Sequence, residues 1–138
     1  MVFIDTNVLV YATASDSPWR APARLALAGL PGKGGGAISR QVLREYLAAM
    51  SRLPVKEHST QVLAETVRRF ANAYTVLEDG QLVTAKLLEL IEEVPVGGKQ
   101  IHDANLVATM LVHGVDRIVT ANVSDLKRFA GFVEILPL

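Results

Sequence analysis

The sequence predicts an α/β fold, with a central parallel sheet of about four to five strands covered by helices on both faces. Three observations predict it. Val2-Phe3-Ile4 is an apolar run without polar alternation, the mark of a strand buried on both faces. Short apolar runs of this kind alternate along the chain with longer stretches of helical periodicity. The clearest of those stretches repeats Leu82, Val83, Lys86, Leu87, Leu90 and Ile91 at helical spacing and stops before Pro95-Val96-Gly97-Gly98.

Taken in order, the first strand ends on Asp5, and Val8 to Ala12 begins the first helix or a turn into it. Asp16-Ser17-Pro18 is a helix-start signal for Trp19 to Leu30, with Pro22 required in the first turn. Gly32 to Gly36 reads as a turn; no Gly-Lys-Ser/Thr follows, so it is not a phosphate-binding loop. Ala37-Ile38 is a short strand, and Ser39 caps a helix from Gln41 to Ser51 whose buried stripe is Val42, Leu43, Leu47 and Met50. Pro54 ends that helix, and Lys56 to Ala71 is the next, with Val62, Leu63, Val67 and Phe70 inward. Tyr74 to Leu77 is a strand, and the Leu82 to Ile91 helix follows, with Glu89, Glu92 and Glu93 solvated. Ile101 to His113 is a helix closed by Gly114. Arg117 to Thr120 is a strand, Ser124 to Phe129 a helical turn, and Val133 to Leu136 the last strand.

A chain of 138 residues is expected to form one domain, residues 1–138, large enough to fold without staples. The absence of cysteine excludes disulfides, thiolate nucleophiles and cysteine zinc sites. No signal-peptide pattern or membrane-spanning run is present, so the expectation is a cytoplasmic protein without a membrane partner. The formal charge is zero, but residues 1–72 carry nine Lys/Arg against five Asp/Glu, and residues 73–138 five against nine. The basic half suits a phosphate backbone as partner, and equally an ordinary mixed surface.

The chemistry-bearing residues are acids at strand ends and helix starts. Asp5 ends a strand at the edge where ligands bind in open α/β sheets, or else caps the helix after it. Glu45 interrupts the apolar pattern between Leu43 and Leu47, and Asp103 that of Ala104, Leu106, Val107 and Met110. Asn122 and Asp125 follow the Arg117 strand at its carboxyl end. If the strands are parallel neighbours, these groups meet at one edge of the sheet. Carboxylates so gathered cannot all stay ionised without protons or a divalent cation. Mg²⁺ or Mn²⁺ matches a set of oxygen ligands, and such an ion supports phosphodiester hydrolysis. Each acid also has a plainer role: Glu45 as an ion-pair partner of Arg44 or Arg52, Asp103 as a helix-dipole partner, Asp125 as a cap.

Four stretches carry a family resemblance. Ile4-Asp5-Thr6-Asn7-Val8-Leu9-Val10-Tyr11, Ser39 with Glu45, Ile101 to Ala108, and Val119-Thr120-Ala121-Asn122-Val123-Ser124-Asp125 resemble the PIN-domain ribonucleases, most closely the VapC toxins of toxin–antitoxin pairs. The resemblance implies a PIN-like three-layer α/β/α fold and Mg²⁺- or Mn²⁺-dependent endoribonuclease activity. It implies Asp5, Glu45 and Asp103 as metal-binding catalytic acids, Asn7 orienting Asp5, and Thr120, Asn122 and Ser39 at the pocket. Many relatives have a fourth acid where this chain has Asn122; Asp125 substitutes for it, or the site holds one metal. Implied partners are RNA (tRNA, rRNA or mRNA), a small antitoxin whose tail fills the groove, and a second copy in a homodimer.

Other residues have weaker claims. Tyr11 and Trp19 stack on a base or serve core packing or antitoxin contact, and Arg20, Arg24, Arg40 and Arg44 are candidate phosphate holders. His102 stands beside Asp103, and His58 and His113 read as surface helix residues. Two rival functions remain. One is an aspartyl-phosphate-forming phosphatase using Asp5, Lys99 and Asp103, opposed by Asn7 where a general acid is needed. The other is a non-catalytic PIN-like module that binds RNA or protein.

Overall fold

The computed structural model describes residues 1–30, 32–53 and 58–138. Its strands are β1 (Val2–Ile4), β2 (Gly36–Ser39), β3 (Thr75–Leu77), β4 (Arg117–Thr120) and β5 (Glu134–Pro137). The helices are α1 (Thr6–Thr13), α2 (Arg20–Ala28), α3 (Gly32–Gly35), α4 (Arg40–Ser51), α5 (Thr60–Ala73), α6 (Gln81–Glu93), α7 (Gln100–Val112) and α8 (Val123–Leu126). All five strands pair in parallel, in the order β3-β2-β1-β4-β5. β1 is central, and its three residues are buried, as an apolar strand covered on both faces must be.

The order fixes the layers. From β1 the chain steps to β2 and then β3, and afterwards crosses back to β4 and β5 on the other side of β1. Right-handed crossovers place the helices of the outward steps on one face and those of the return on the other. Accordingly α1 packs on α2 and α4, and α4 on α5, whereas α6 packs on α7 and α7 on α8. The reversal falls between β1 and β4, so their carboxyl ends splay the neighbouring loops apart and leave a crevice. Asp5 ends β1 there, and Ala121 and Asn122 follow β4.

Buried strand residues, among them Phe3, Ile4, Ile38 and Ile118, pack against Leu9, Val42, Met50 and Met110 from the helical layers to form the core. Ser39 caps α4 as its sequence position indicates, its hydroxyl accepting from the Val42 amide at 3.3 Å. Gly114, at φ +69°, ends α7 in the left-handed conformation that glycine adopts without cost. Pro22 lies in the first turn of α2.

Four expectations need correction. Gly32 to Gly35 forms a short helix rather than a turn, and Gly36 already belongs to β2. A Cβ on Gly36 would stand 2.8 Å from Tyr74 Cδ1 and 3.1 Å from Ile4 Cδ1, so the glycine serves a close approach inside the sheet. Val62, expected inward, is 49% exposed, and Leu82, of the helically spaced pattern, is 73% exposed, because the apolar stripe of each helix is narrower than its composition suggests. Trp19 is 44% exposed and so is not a core residue. Pro54 and Lys56 lie outside the described residues. Among the described residues, no helix is long and apolar enough to cross a membrane.

Candidate active site

Asp5 stands where β1 hands the chain to α1, with φ −69° and ψ 150°, and its side chain makes no capping bond to that helix. The helix-cap reading of Asp5 therefore does not hold. Its carboxylate instead faces β4: the Thr120 hydroxyl donates to Asp5 Oδ2 at 2.6 Å and Asn7 Nδ2 donates to the same oxygen at 2.7 Å. Asn7 is itself fixed at both ends, since Nδ2 also reaches Thr120 Oγ1 at 3.1 Å and Oδ1 accepts from the Ala121 amide at 3.0 Å. The carboxyl ends of β1 and β4 are thus tied through one carboxylate. Burial pushes the Asp5 carboxyl above its ordinary value; the Thr120 and Thr6 hydrogen bonds oppose this, and the Glu45 charge adds to it.

Glu45 reaches the same place from α4. Its Oε2 accepts from the Thr6 hydroxyl at 2.9 Å, and its Oε1 from Gln41 Nε2 at 2.7 Å. Asp103 arrives from the first turn of α7. Its pKa is raised to about 6, first by burial and then by the charges of Asp125, Asp5 and Glu45, with Arg128 pulling the other way. Burial is the larger effect on the Asp103 carboxyl, and the three neighbouring acids add to it.

These groups line a cleft of about 290 Å³ formed by Asp5, Thr6, Asn7, Val10, Tyr11, Glu45, Ala49, Asp103, Asn122, Asp125 and Leu126. Among the described residues, no Lys or Arg lines it. Asp125 lies in the first turn of α8, inside the helix rather than at its cap position, which Asn122 occupies, and it lines the cleft. Asn122 lines the cleft as well. Two pocket residues named from sequence stand elsewhere. Thr120 is fully buried behind Asp5, where its oxygen also accepts from the Asn122 amide at 2.9 Å. Ser39 is fully buried too, and its hydroxyl is committed to capping α4. Lys99, required by the phosphatase reading, is exposed and does not line the cleft.

Of the other candidates, Tyr11 is at the cleft wall and Trp19 stacks on it, with ring centroids 6.4 Å apart. Arg40 is held by Glu78 at 2.7 Å, and Arg24 Nε donates to the Ala12 carbonyl at 2.9 Å. His102 is exposed, and its carbonyl rather than its ring joins the site, accepting from Gln41 Nε2 at 3.0 Å. Sequence reasoning overlooked Thr6 and Gln41 as holders of Glu45. One signal was available: Gln41 precedes Glu45 by four residues on a helix, so both lie on one face.

A family model described as PIN domain matches residues 2–131. The chain belongs to the PIN-domain family. Among PIN-domain relatives, it is 28% identical over 137 residues to the ribonuclease VapC24 of Mycobacterium tuberculosis, covering 96% of this chain and 92% of that one. The fold superposes on M. tuberculosis VapC20, a toxin described as cleaving the sarcin-ricin loop, with TM-score 0.73 at 19% identity, covering 99% and 100% of the two chains. It also superposes on a chain of a Klebsiella pneumoniae toxin–antitoxin complex with TM-score 0.72 at 21% identity, covering 99% and 96%. The PIN fold expected from the sequence is thereby found.

Does the PIN cleft suit a hard cation? Four carboxylates and two carboxamides are among the side chains that line it, and among the described residues no Lys or Arg does. Among the described residues, no three acids stand together as a ready-formed cation cage; they border an open cleft instead. In donor chemistry and charge this lining would suit a hard divalent cation such as Mg²⁺ or Mn²⁺.

Proposed function

We propose that this PIN-domain protein is a Mg²⁺- or Mn²⁺-dependent endoribonuclease that hydrolyses RNA phosphodiester bonds, and the toxin of a toxin–antitoxin pair. The observation that carries it is the convergence of Asp5, at the end of β1, with Glu45, Asp103 and Asp125, from three helices, on one cleft that no Lys or Arg among the described residues lines. Asp5, Glu45 and Asp103 would hold the ion. Once bound, a divalent cation there lowers the pKa of a water and offsets charge on the phosphate.

The chain's own residues prepare the rest. Thr120 and Asn7 crowd both of their bonds onto Asp5 Oδ2, which fixes the carboxylate plane and points Oδ1 away from them. Thr6 and Gln41 hold one oxygen of Glu45 each, so this long side chain does not have to be ordered when the ion arrives. Asp103 gives up its proton near pH 6 and is therefore available as a ligand at neutral pH. Asp125 serves as the fourth acid in the position that Asn122 leaves without charge.

The toxin role is supported by the likeness to VapC24 and to chains from toxin–antitoxin complexes. Partners on this reading are RNA (tRNA, rRNA or mRNA), a small antitoxin and a second copy of the chain. The test is cleavage of mixed cellular RNA with Mn²⁺ by the parent protein and by Asp5→Asn, with sequencing of new 5′ ends. Site-restricted cleavage lost in the variant is expected. Mn²⁺ binding without cleavage of any RNA would turn the reading into a binding module.

A further inference from the structure

The helix carrying Glu45 and the helix carrying Asp103 belong to opposite layers and approach one another at the carboxyl edge of the sheet. One side chain spans them. Gln41, 5% exposed, donates from Nε2 both to Glu45 Oε1 at 2.7 Å and to the His102 carbonyl at 3.0 Å. Its Oε1 accepts from Asn105 Nδ2 at 2.8 Å, and Asn105 gives its second hydrogen to Asp79 Oδ2 at 3.0 Å. Both hydrogens of each amide are used, so each has one orientation. Turned over, the Gln41 amide would set its oxygen against a carboxylate and a carbonyl while its NH₂ faced the Asn105 NH₂.

We infer that Gln41 is the positioning residue of the acidic site, setting the separation of Glu45 and Asp103 by clamping Glu45 to the backbone one residue before Asp103. The Asn105 and Asp79 side chains are the outer part of the clamp, for they decide which way the Gln41 amide points. The cost of holding two acids near one another is met here by a donor that is neutral, unlike a Lys or Arg, which would compete with a cation for the carboxylates. A neutral donor fixes the ligand and leaves its charge.

This inference rests on the metal-site reading above, and its test separates the two. Mn²⁺ affinity is measured by calorimetry, without RNA, for the parent protein, Gln41→Met, Glu45→Ala and the double variant, each checked for folding by circular dichroism. Gln41→Met keeps the length of the side chain and removes the amide. It should weaken Mn²⁺ binding by about 10- to 100-fold in the parent, the usual consequence of removing a partner that orients a ligand. In the Glu45→Ala background the same change should cost less than about threefold, since nothing is left to position. Equal losses in both backgrounds, or unchanged affinity in Gln41→Met, overturn the inference. No Mn²⁺ binding by the parent protein overturns the metal-site reading itself. If Gln41→Met does not fold, Asn105→Ala carries the test: it frees the Gln41 amide to turn and should weaken Mn²⁺ binding in the parent but not in Glu45→Ala.

Discussion

Thr120 and Asp5, at the ends of adjacent strands, are joined by a 2.6 Å hydrogen bond from the threonine hydroxyl to Oδ2 of the carboxylate. The same hydroxyl oxygen accepts from the Asn122 amide and from Asn7 Nδ2, so a fully buried side chain organises the end of β4 as well as the acid. Thr120→Val keeps the shape and removes all three bonds. The expected cost is about 1–3 kcal/mol of stability, because the Asn122 amide loses its partner. RNA cleavage should fall at least about tenfold. Thr120→Ser should restore most of both, as read by urea denaturation and initial rates.

Asp5→Asn should abolish metal-dependent cleavage and leave the fold intact, since an amide oxygen can still accept from Thr120 and Asn7. Growth arrest on expression, if the parent protein causes it, should disappear. A variant cleaving RNA at the parent's rate would refute the role of Asp5.

Burial and neighbouring acids give Asp103 a contribution to the stability of the metal-free protein that runs against the usual pH dependence. Asp103 titrates near 6 when folded and near 3.8 when unfolded, so between these values the folded form holds a proton that the unfolded form lacks. Its contribution to stability consequently rises as pH falls from about 7 to about 5, opposite to the usual acid lability. The raised Asp5 pKa works in the same direction. Melting temperatures taken in chelator should rise over that interval, and Asp103→Asn should be more stable than the parent at pH 7 with a flatter profile.

A bound cation reverses that dependence. Excess Mn²⁺ should raise the melting temperature at pH 7, by about 2.7 kcal/mol of stabilisation at a hundredfold excess over Kd. The gain should shrink below about pH 6 as Asp103 takes up its proton, and it should be absent in Asp5→Asn. Thermal melts with and without chelator decide it.

Thr6→Val should impair cleavage more than it impairs folding. Thr6 is at the site edge and gives Glu45 Oε2 its 2.9 Å bond, whereas the backbone of α1 does not depend on that hydroxyl. Thr6→Ser should retain the activity, as measured by single-turnover cleavage.

The order of elements was legible in the sequence because it depends on local physics. An unbroken apolar run makes β1 a central strand, Ser39 can cap only the helix after it, and Gly114 marks the end of α7 by its left-handed backbone. The acids could be named for a related reason: a carboxylate that interrupts an apolar pattern costs free energy unless something offsets it. Partnership is not local. Whether Asp125 capped a turn or faced the cleft, and whether Thr120 and Ser39 lined the pocket or stood behind it, turned on side-chain directions.

What the sequence by itself determined was therefore the parallel α/β plan and the list of acids. Only the tertiary structure decided which of them share a field, and that Gln41 and Thr6 hold Glu45 from two sides. The physical reason is that hydrogen bonds and Coulomb interactions act over a few ångströms of space, and Thr6 reaches Glu45 across 39 positions of chain. That proximity comes from pairing β1 beside β2, which packs α1 on α4 in one layer, while the reversal between β1 and β4 brings Asp103 from the opposite layer to the same edge.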